Sequence, residues 1–255
     1  MFHASESIII ITITNIEYTM SSIYALNVKL SVKSEHRSEF LEIITYDQQQ
    51  TLEKEPNSIQ FVIGEDVAST VTEQEQGSSS SSSSSSSNIF YLHEEYQTKT
   101  DFEYHTQTDH YAKWQEFIKT KNPFASPPQV DFYTLWDNDD DSSKTVDKIS
   151  PRKSLSVNVK FKINPVKRSE FIKIITNDQK CSLEKEPLCI QFEMGENVNE
   201  SNVFHLHMEF VGSDDGKEGF DAHLATKHFE EWKVFSQGED AFLEKPVMEK
   251  FVTLA

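Results

Sequence analysis

Two pairs of histidines are the residues of this sequence best suited to chemistry: His105 with His110, and His223 with His228. Imidazole titrates near neutral pH, so it can take a proton from a phenol or from the carbon beside a carbonyl. Glu95 and Glu209 are the matching carboxylates, fit to act as a base or to orient an imidazole. His105, His223, Glu95 and Glu209 are therefore the candidate catalytic residues. Asn27, Asn158, His93, His207, His110 and His228 are candidates for holding a substrate. Asn is disfavoured inside strands, so its recurrence at 27 and 158 implies a hydrogen-bonding task.

Plainer roles compete with each of these. His110 and His228 stand one turn before Trp114 and Trp232 and would serve as well to pack a helix. Glu95 and Glu209 could pair across strands with Lys29 and Lys160. His205, His207 and Glu209 have the residue types of a two-histidine, one-carboxylate metal site. Tyr91 takes the place of His205 earlier in the chain, however, so no metal is expected. Neither a nucleophile elbow nor a dinucleotide motif is present, and no cofactor is expected.

These residues come in pairs because the chain repeats itself. Asn27-Val28-Lys29, Arg37-Ser38-Glu39-Phe40, Leu52-Glu53-Lys54-Glu55-Pro56 and Ile59-Gln60-Phe61 recur as Asn158-Val159-Lys160, Arg168-Ser169-Glu170-Phe171, Leu183-Glu184-Lys185-Glu186-Pro187 and Ile190-Gln191-Phe192. Phe102, His105, Thr108, His110 and Trp114 return as Phe220, His223, Thr226, His228 and Trp232. Two long copies are two domains of one fold rather than a solenoid.

The elements that must position them are legible from periodicity. Leu26, Val28, Leu30 and Val32 alternate with Asn27, Lys29 and Ser31, and Val157, Val159, Phe161 and Ile163 alternate likewise, which predicts a strand with one buried face. Phe40, Ile43, Ile44 and Leu52 then fall at helical spacing, as do Phe171, Ile174, Ile175 and Leu183, with Pro56 and Pro187 closing the helix. Strands follow from Ile59 and Ile190, then at 89–96 and 203–210. Two short helical pieces are expected at 101–106 and 109–119, and at 218–224 and 227–235, with Thr108 and Thr226 as N-caps of the second. Last strands are expected at 130–136 and 249–254. The order β-α-β-β-α-β, twice, is an α+β fold of two ferredoxin-like domains.

Boundaries follow from composition. Residues 1–21 read as an extension, with translation starting at Met1 or Met20. The first domain is 22–136, with a serine-rich loop at 68–87 whose polar tract cannot bury apolar surface. An acidic linker spans 137–153, and the second domain is 154–255. The formal net charge of -18 argues against nucleic acid or an anionic membrane as partner. Cys181 and Cys189 have no counterparts in the first copy and read as free thiols of a cytoplasmic protein.

One sheet face is apolar and belongs under the helices. The other carries Asn27, Lys29, Gln60, Tyr91, His93 and Glu95, and in the second copy Asn158, Lys160, Gln191, His205, His207 and Glu209. Phe132, Tyr133 and Trp136 add bulk that solvent would waste. The expectation is that the two sheets face one another around a semi-polar interior, in which Lys29 or Lys160 neutralises a carboxylate.

The runs Asn202-Val203-Phe204-His205-Leu206-His207-Met208-Glu209-Phe210 and Phe220-Asp221-Ala222-His223-Leu224-Ala225-Thr226-Lys227-His228-Phe229 resemble the antibiotic biosynthesis monooxygenase (ABM) domain. The first copy follows it through Tyr91–Tyr96 and His105–Tyr111. The glycine usual after Glu-Pro is Asn57 in one copy and Leu188 in the other. The resemblance implies a dimeric α+β barrel, here made within one chain that acts as a monomer on a small molecule. It implies a cofactor-independent monooxygenase of a quinol-like or carbonyl metabolite. The alternatives are a carbonyl isomerase or a non-catalytic ligand-binding or stress protein. Haem degradation is a minority reading, because Trp114 and Trp232 lie late in the helix.

Overall fold

The computed structural model describes residues 23–67, 88–136 and 153–254. The expectations for the N-terminal extension, the serine tract and the acidic linker fall outside these residues. The first half runs β1 (Tyr24–Ser31), α1 (Arg37–Lys54), β2 (Ser58–Asp66), β3 (Ile89–Tyr96), α2 (Lys99–His105), α3 (Asp109–Lys121) and β4 (Gln129–Leu135). The second repeats it as β5 (Leu155–Ile163), α4 (Arg168–Lys185), β6 (Cys189–Asn197), β7 (Val203–Phe210), α5 (Lys217–Leu224), α6 (Lys227–Ser236) and β8 (Phe242–Thr253).

The eight strands close into one barrel in the order β1-β3-β2-β8-β5-β7-β6-β4. All the pairings are antiparallel. Within each half the long ladders join the first strand to the third and the last, as at Asn27 opposite His93 and Asn158 opposite His207. Two short seams join the halves. Gly64, Glu65 and Asp66 of β2 pair with Thr253, Val252 and Phe251 of β8. Tyr133, Thr134 and Leu135 of β4 pair with Asn197, Glu196 and Gly195 of β6. Each seam needs a glycine at the same place in the repeat. A Cβ at Gly64 would strike the Phe251 ring and Val252 O, and one at Gly195 would strike the Thr134 backbone.

Period two in the sequence becomes two faces of the barrel wall, since successive strand residues point to opposite sides. Leu26, Val28 and Leu30 turn outward under α1 and α3 and pack with Phe40, Ile44, Phe61, Phe90 and Trp114. Val157, Val159 and Phe161 do the same with Phe171, Ile175, Phe192, Phe204 and Phe235. Asn27, Gln60, His93 and Glu95, with Asn158, Gln191, His207 and Glu209, turn inward and are all buried. Of the three bulky residues of the last strand, only Tyr133 joins them. Phe132 stacks on Tyr24 and meets Phe102 edge-on on the helix side, and Trp136 packs edge-on to Phe204.

The last strand of the second half starts earlier than its pattern predicts, at Phe242 rather than Glu249. Its first part is largely exposed and so carries no apolar alternation, and Pro246 reads as a breaker. Up to Lys250 it pairs with β5 alone, and a proline is tolerated where no ladder partner needs its N–H.

Candidate functional site: two buried acid–base clusters outside a filled barrel

The barrel interior is occupied by the protein's own polar side chains. The rings of His93 and His207 stack across the pseudo-twofold axis, 3.7 Å between centroids and 5° from parallel. Each Nδ1 meets its own strand partner, the Oδ1 of Asn27 at 2.8 Å and of Asn158 at 2.7 Å. Two imidazolium ions cannot share such a contact in a dry interior. Burial accordingly pushes His93 down to about 3 and His207 down to about 4, so both are neutral. His93 Nε2 lies 2.8 Å from Glu95 Oε1, and burial pushes Glu95 up to about 7. Burial works on Glu209 in the same sense, but its contact with His207 and the hydrogen bond donated by the Ser154 hydroxyl outweigh it and leave the carboxyl below its ordinary value. Gln60 and Gln191 tie the two sets together by donating to each other's Oε1 at 2.7 and 2.6 Å.

The two ends of this interior differ. At one end Tyr133 donates to Asn27 Oδ1 at 3.3 Å and stacks on His205, with Glu193 nearby and pushed up to about 8 by burial and the Glu95 charge. The equivalent places at the other end hold Phe251, Tyr91 and Val62, with Tyr91 stacked on Phe251. Lys29 bonds Glu249 at 2.8 Å and Lys160 bonds Asp131 at 2.6 Å, each lysine reaching into the opposite half. The carboxylates that the sequence reading gave to these lysines are therefore on β8 and β4, not at Glu95 or Glu209.

The other histidines gather on the far side of the wall, beneath the helices. In an unbroken helix, residues five apart do not share a face. Here the chain breaks between α2 and α3, where Thr108 caps the new helix by accepting from Tyr111 N. His105 ends α2 and His110 lies in the first turn of α3, and both turn to Glu55, the residue that ends α1. Glu55 Oε1 lies 2.8 Å from His105 Nδ1 and 2.7 Å from His110 Nε2. Thr51 Oγ1 is 3.3 Å from the same His105 nitrogen, and Asp47 Oδ2 is 3.9 Å from its Nε2. Burial opposes charge on His105, but Glu55, Glu94 and Asp47 outweigh it, so its pKa is raised. Burial pushes Asp47 up to about 6 and Glu94 up to about 7.

The second half builds the same cluster. Glu186 Oε1 lies 3.1 Å from His223 Nδ1 and 2.5 Å from His228 Nε2, with Ser182 in the place of Thr51. Burial pushes Asp178 up to about 6. Both clusters leave buried carboxylate oxygens without a hydrogen-bond partner: Asp47 Oδ1, Glu55 Oε2, Asp178 Oδ1 and Glu186 Oε2. Donor atoms of Glu55, His105 and His110, and of Asp178, His223 and His228, converge within 4.8 Å, a set of types that a transition metal accepts. The imidazole–Glu55 distances are those of charge-assisted hydrogen bonds.

The structure thus splits the sequence candidates in two. His105, His110, His223 and His228 are brought together with carboxylates. Glu95, Glu209, His93, His207, Asn27 and Asn158 form a separate network across the sheet, so Glu95 does not orient His105. The carboxylates that do so, Glu55, Asp47, Glu186 and Asp178, were not singled out from the sequence, although all four lie within the repeated segment. An open cleft of about 940 Å³ beside the end of β4 and the β6–β7 turn is lined by Trp136, Arg168, Glu196 and Asn202, and by none of these histidines.

A family model, antibiotic biosynthesis monooxygenase, matches residues 23–116 and 154–234, which together make up more than half of the chain. The chain belongs to the ABM family. Both matched segments include one helix-side cluster, so the ABM fold is present twice. Solved structures agree at the level of fold. A candidate monooxygenase from Lactobacillus acidophilus NCFM is similar with a TM-score of 0.68 at 14% identity, covering 91% of this chain and 94% of its own. A candidate monooxygenase from Fusobacterium nucleatum gives 0.68 at 12% identity, with 92% and 93% covered. An anthrone oxidase-like protein gives 0.55 at 10% identity, with 92% of each chain covered. No curated protein matches the sequence. Among the described residues, no helix is long and apolar enough to cross a membrane.

Proposed function

We propose that this ABM protein is a cofactor-independent monooxygenase of a small quinol-like or carbonyl metabolite, and that the helix-side clusters handle its proton. The observation that carries the reading is a buried imidazole held to a buried carboxylate on the apolar side of the sheet, found once in each half. In such a place His105, or His223, takes the proton of a substrate O–H, and Glu55 or Glu186 stabilises the imidazolium that results. The aryloxide left behind is electron-rich enough to reduce dioxygen. One oxygen atom enters the product and the other leaves as water, the substrate supplying the electrons. His110 and His228 fit a positioning role, fixing the carboxylate and the helix break. The barrel network of Asn27, His93, Glu95, Asn158, His207 and Glu209 is tied into the wall through Gln60, Gln191, Tyr133 and Ser154 and fits a scaffold role.

The same proton step would serve a carbonyl isomerase, and oxygen consumption separates the two. Oxygen uptake is measured with a panel of naphthoquinols and anthrones, for the wild type and for the His105→Ala/His223→Ala double variant. Turnover should fall by about 10²–10⁴-fold in the double variant, the usual share of a general acid–base group. Full activity in the double variant would remove the clusters from the mechanism. Absence of oxygen uptake with every substrate, alongside proton exchange on an enolisable ketone, would turn the reading to isomerase. We further propose that the protein acts in the cytoplasm as a monomer in which the two halves replace the two subunits of a dimer.

A further inference from the structure

The clusters share their histidines and differ in what lies beneath them. In the first half, β3 sends Glu94 and Tyr96 to the helix side, and Tyr96 donates its hydroxyl to Glu94 Oε2 at 2.8 Å. Both side chains are buried, at 6% and 0% exposure. In the second half the same two places on β7 hold Met208 and Phe210, equally buried. The acid and its donor are therefore present together or absent together.

We propose that the halves have parted in function: the first carries the working proton site, in which the proton that His105 takes from the substrate comes to rest on Glu94, and the second half's cluster serves to fix its helices. This rests on the proton-handling role assigned above to the first cluster. The substrate O–H bond breaks, the His105 imidazole gains the proton and hands it to the Glu94 carboxylate, and an aryloxide remains.

Packing alone gives no reason for a carboxyl group at position 94. A thioether fills the equivalent position of a nearly identical framework, and burying a carboxylate costs far more than burying a methionine. A buried carboxyl of this kind marks a functional group more often than a structural one. The groups that face Glu94 come from every element packed over it: Asp47 on α1, Glu55 at the end of α1, Tyr96 on β3, His105 ending α2, and Tyr111 on α3, with His110 one bond further out. Three carboxyls around one imidazole can hold more protons than the imidazole alone, and this surplus sets the first cluster apart. Glu94 and His105 feel each other's charge, and His105 and His110 share one Glu55 oxygen, so Glu94 stands at the inner end of the cluster. The second half has His223, Glu186 and His228 but no acid at its inner end.

The sign of the pH effect follows from burial. Glu94 holds its proton more tightly in the folded chain than in the unfolded one, about 7 against 4.5, so its ionisation opposes folding. Its share of the stability is therefore lost as pH rises from about 4.5 through about 7. Glu94→Met should remove that share of the fall and melt higher than the wild type above pH 7, while Met208→Leu should leave the pH profile unchanged.

The test uses the full chain and menadione as a probe. Isothermal titration should give one menadione bound per chain, and two equal sites would overturn the proposal. Menadiol oxidation should drop by about 10²-fold or more in kcat for Glu94→Gln, with KM little changed, and should be unaffected by Met208→Leu. Equal kcat in Glu94→Gln and wild type would overturn it. Should menadione neither bind nor menadiol turn over in the wild type, the activity reading fails by itself, and infrared spectroscopy decides about Glu94. A protonated-carboxyl band that titrates near pH 7 and is missing from Glu94→Met supports the proton site, and its absence ends it.

Discussion

The inner and outer sides of the barrel wall have diverged at different rates between the two halves. At the centre of the interior, Asn27, Gln60, His93 and Glu95 match Asn158, Gln191, His207 and Glu209 residue for residue, and there the two glutamines and the two histidine rings hold each other across the axis. A change in one of these would strand its partner in the other half. Under the helices, each cluster bonds only within its own half, and there Glu94 and Tyr96 stand against Met208 and Phe210. Coupling across the axis preserves identity, and independence permits a duplicated site to change. The seams lie between these extremes, alike in backbone but unlike in what surrounds their glycines.

The largest effect should come from the seams. Gly195→Ala drives a Cβ into the Thr134 backbone at 2.2 Å, whereas at Gly64 the shortest approach is to the Phe251 ring, with the Val252 carbonyl next at 2.7 Å. Both should destabilise the chain in urea denaturation, Gly195→Ala by about 3 kcal/mol or more and Gly64→Ala by somewhat less. Equal losses would mean that ring and backbone yield alike. Next come the barrel asparagines. Asn27 and Tyr133 both reach His93 Nδ1, at 2.8 and 3.1 Å, so Asn27→Ala leaves that nitrogen a partner. Asn158 has no such understudy, because Phe251 replaces the tyrosine. Asn158→Ala should cost about 1–3 kcal/mol, the penalty of an unsatisfied buried group, and Asn27→Ala less. The reverse order in thermal melts would show that the tyrosine does not substitute. The smallest effect belongs to the lysines at the barrel mouths. Lys29→Met and Lys160→Met should each lose under about 1 kcal/mol, as partly exposed pairs do. Lys29 should cost slightly more, since its ammonium also lies 5.3 Å from the Tyr91 ring centroid. Adding salt should shrink both differences.

The barrel was legible from the sequence because Leu26, Val28 and Leu30 obey a period that Asn27 and Lys29 interrupt, and because the same interruption returns at Asn158 and Lys160. Thr108 and Thr226 were legible as caps for a local reason: a hydroxyl three residues before the N–H it accepts needs no tertiary context. The site was legible only in part. His105 and His110 announce themselves by residue type, but their partner does not, because Glu55 stands in a charged run that reads as a solvated helix end. Asp47 sits mid-helix between polar neighbours, and only the packing of α1 on the sheet turns it inward. Glu94 and Glu95 are adjacent in sequence and serve opposite faces, a distinction that depends on register. The early start of β8 had no apolar signal to report.

Among the described residues, three residue pairs at each seam, with flanking bonds from Trp136 N to Met194 O, Val198 N to Phe132 O and Leu254 N to Ile63 O, make up the backbone hydrogen bonding that holds one half to the other. A cut anywhere between Trp136 and Lys153 would therefore fall between the described strands and leave both ladders whole. The two fragments would then meet as separate molecules, trading an effective concentration in the millimolar range for whatever concentration they are supplied at. Each would carry a complete helix-side cluster and one face of the histidine stack. The chain is in this sense a ready-made complementation pair, in which recovery of the stacked His93–His207 contact reports reunion of the fragments.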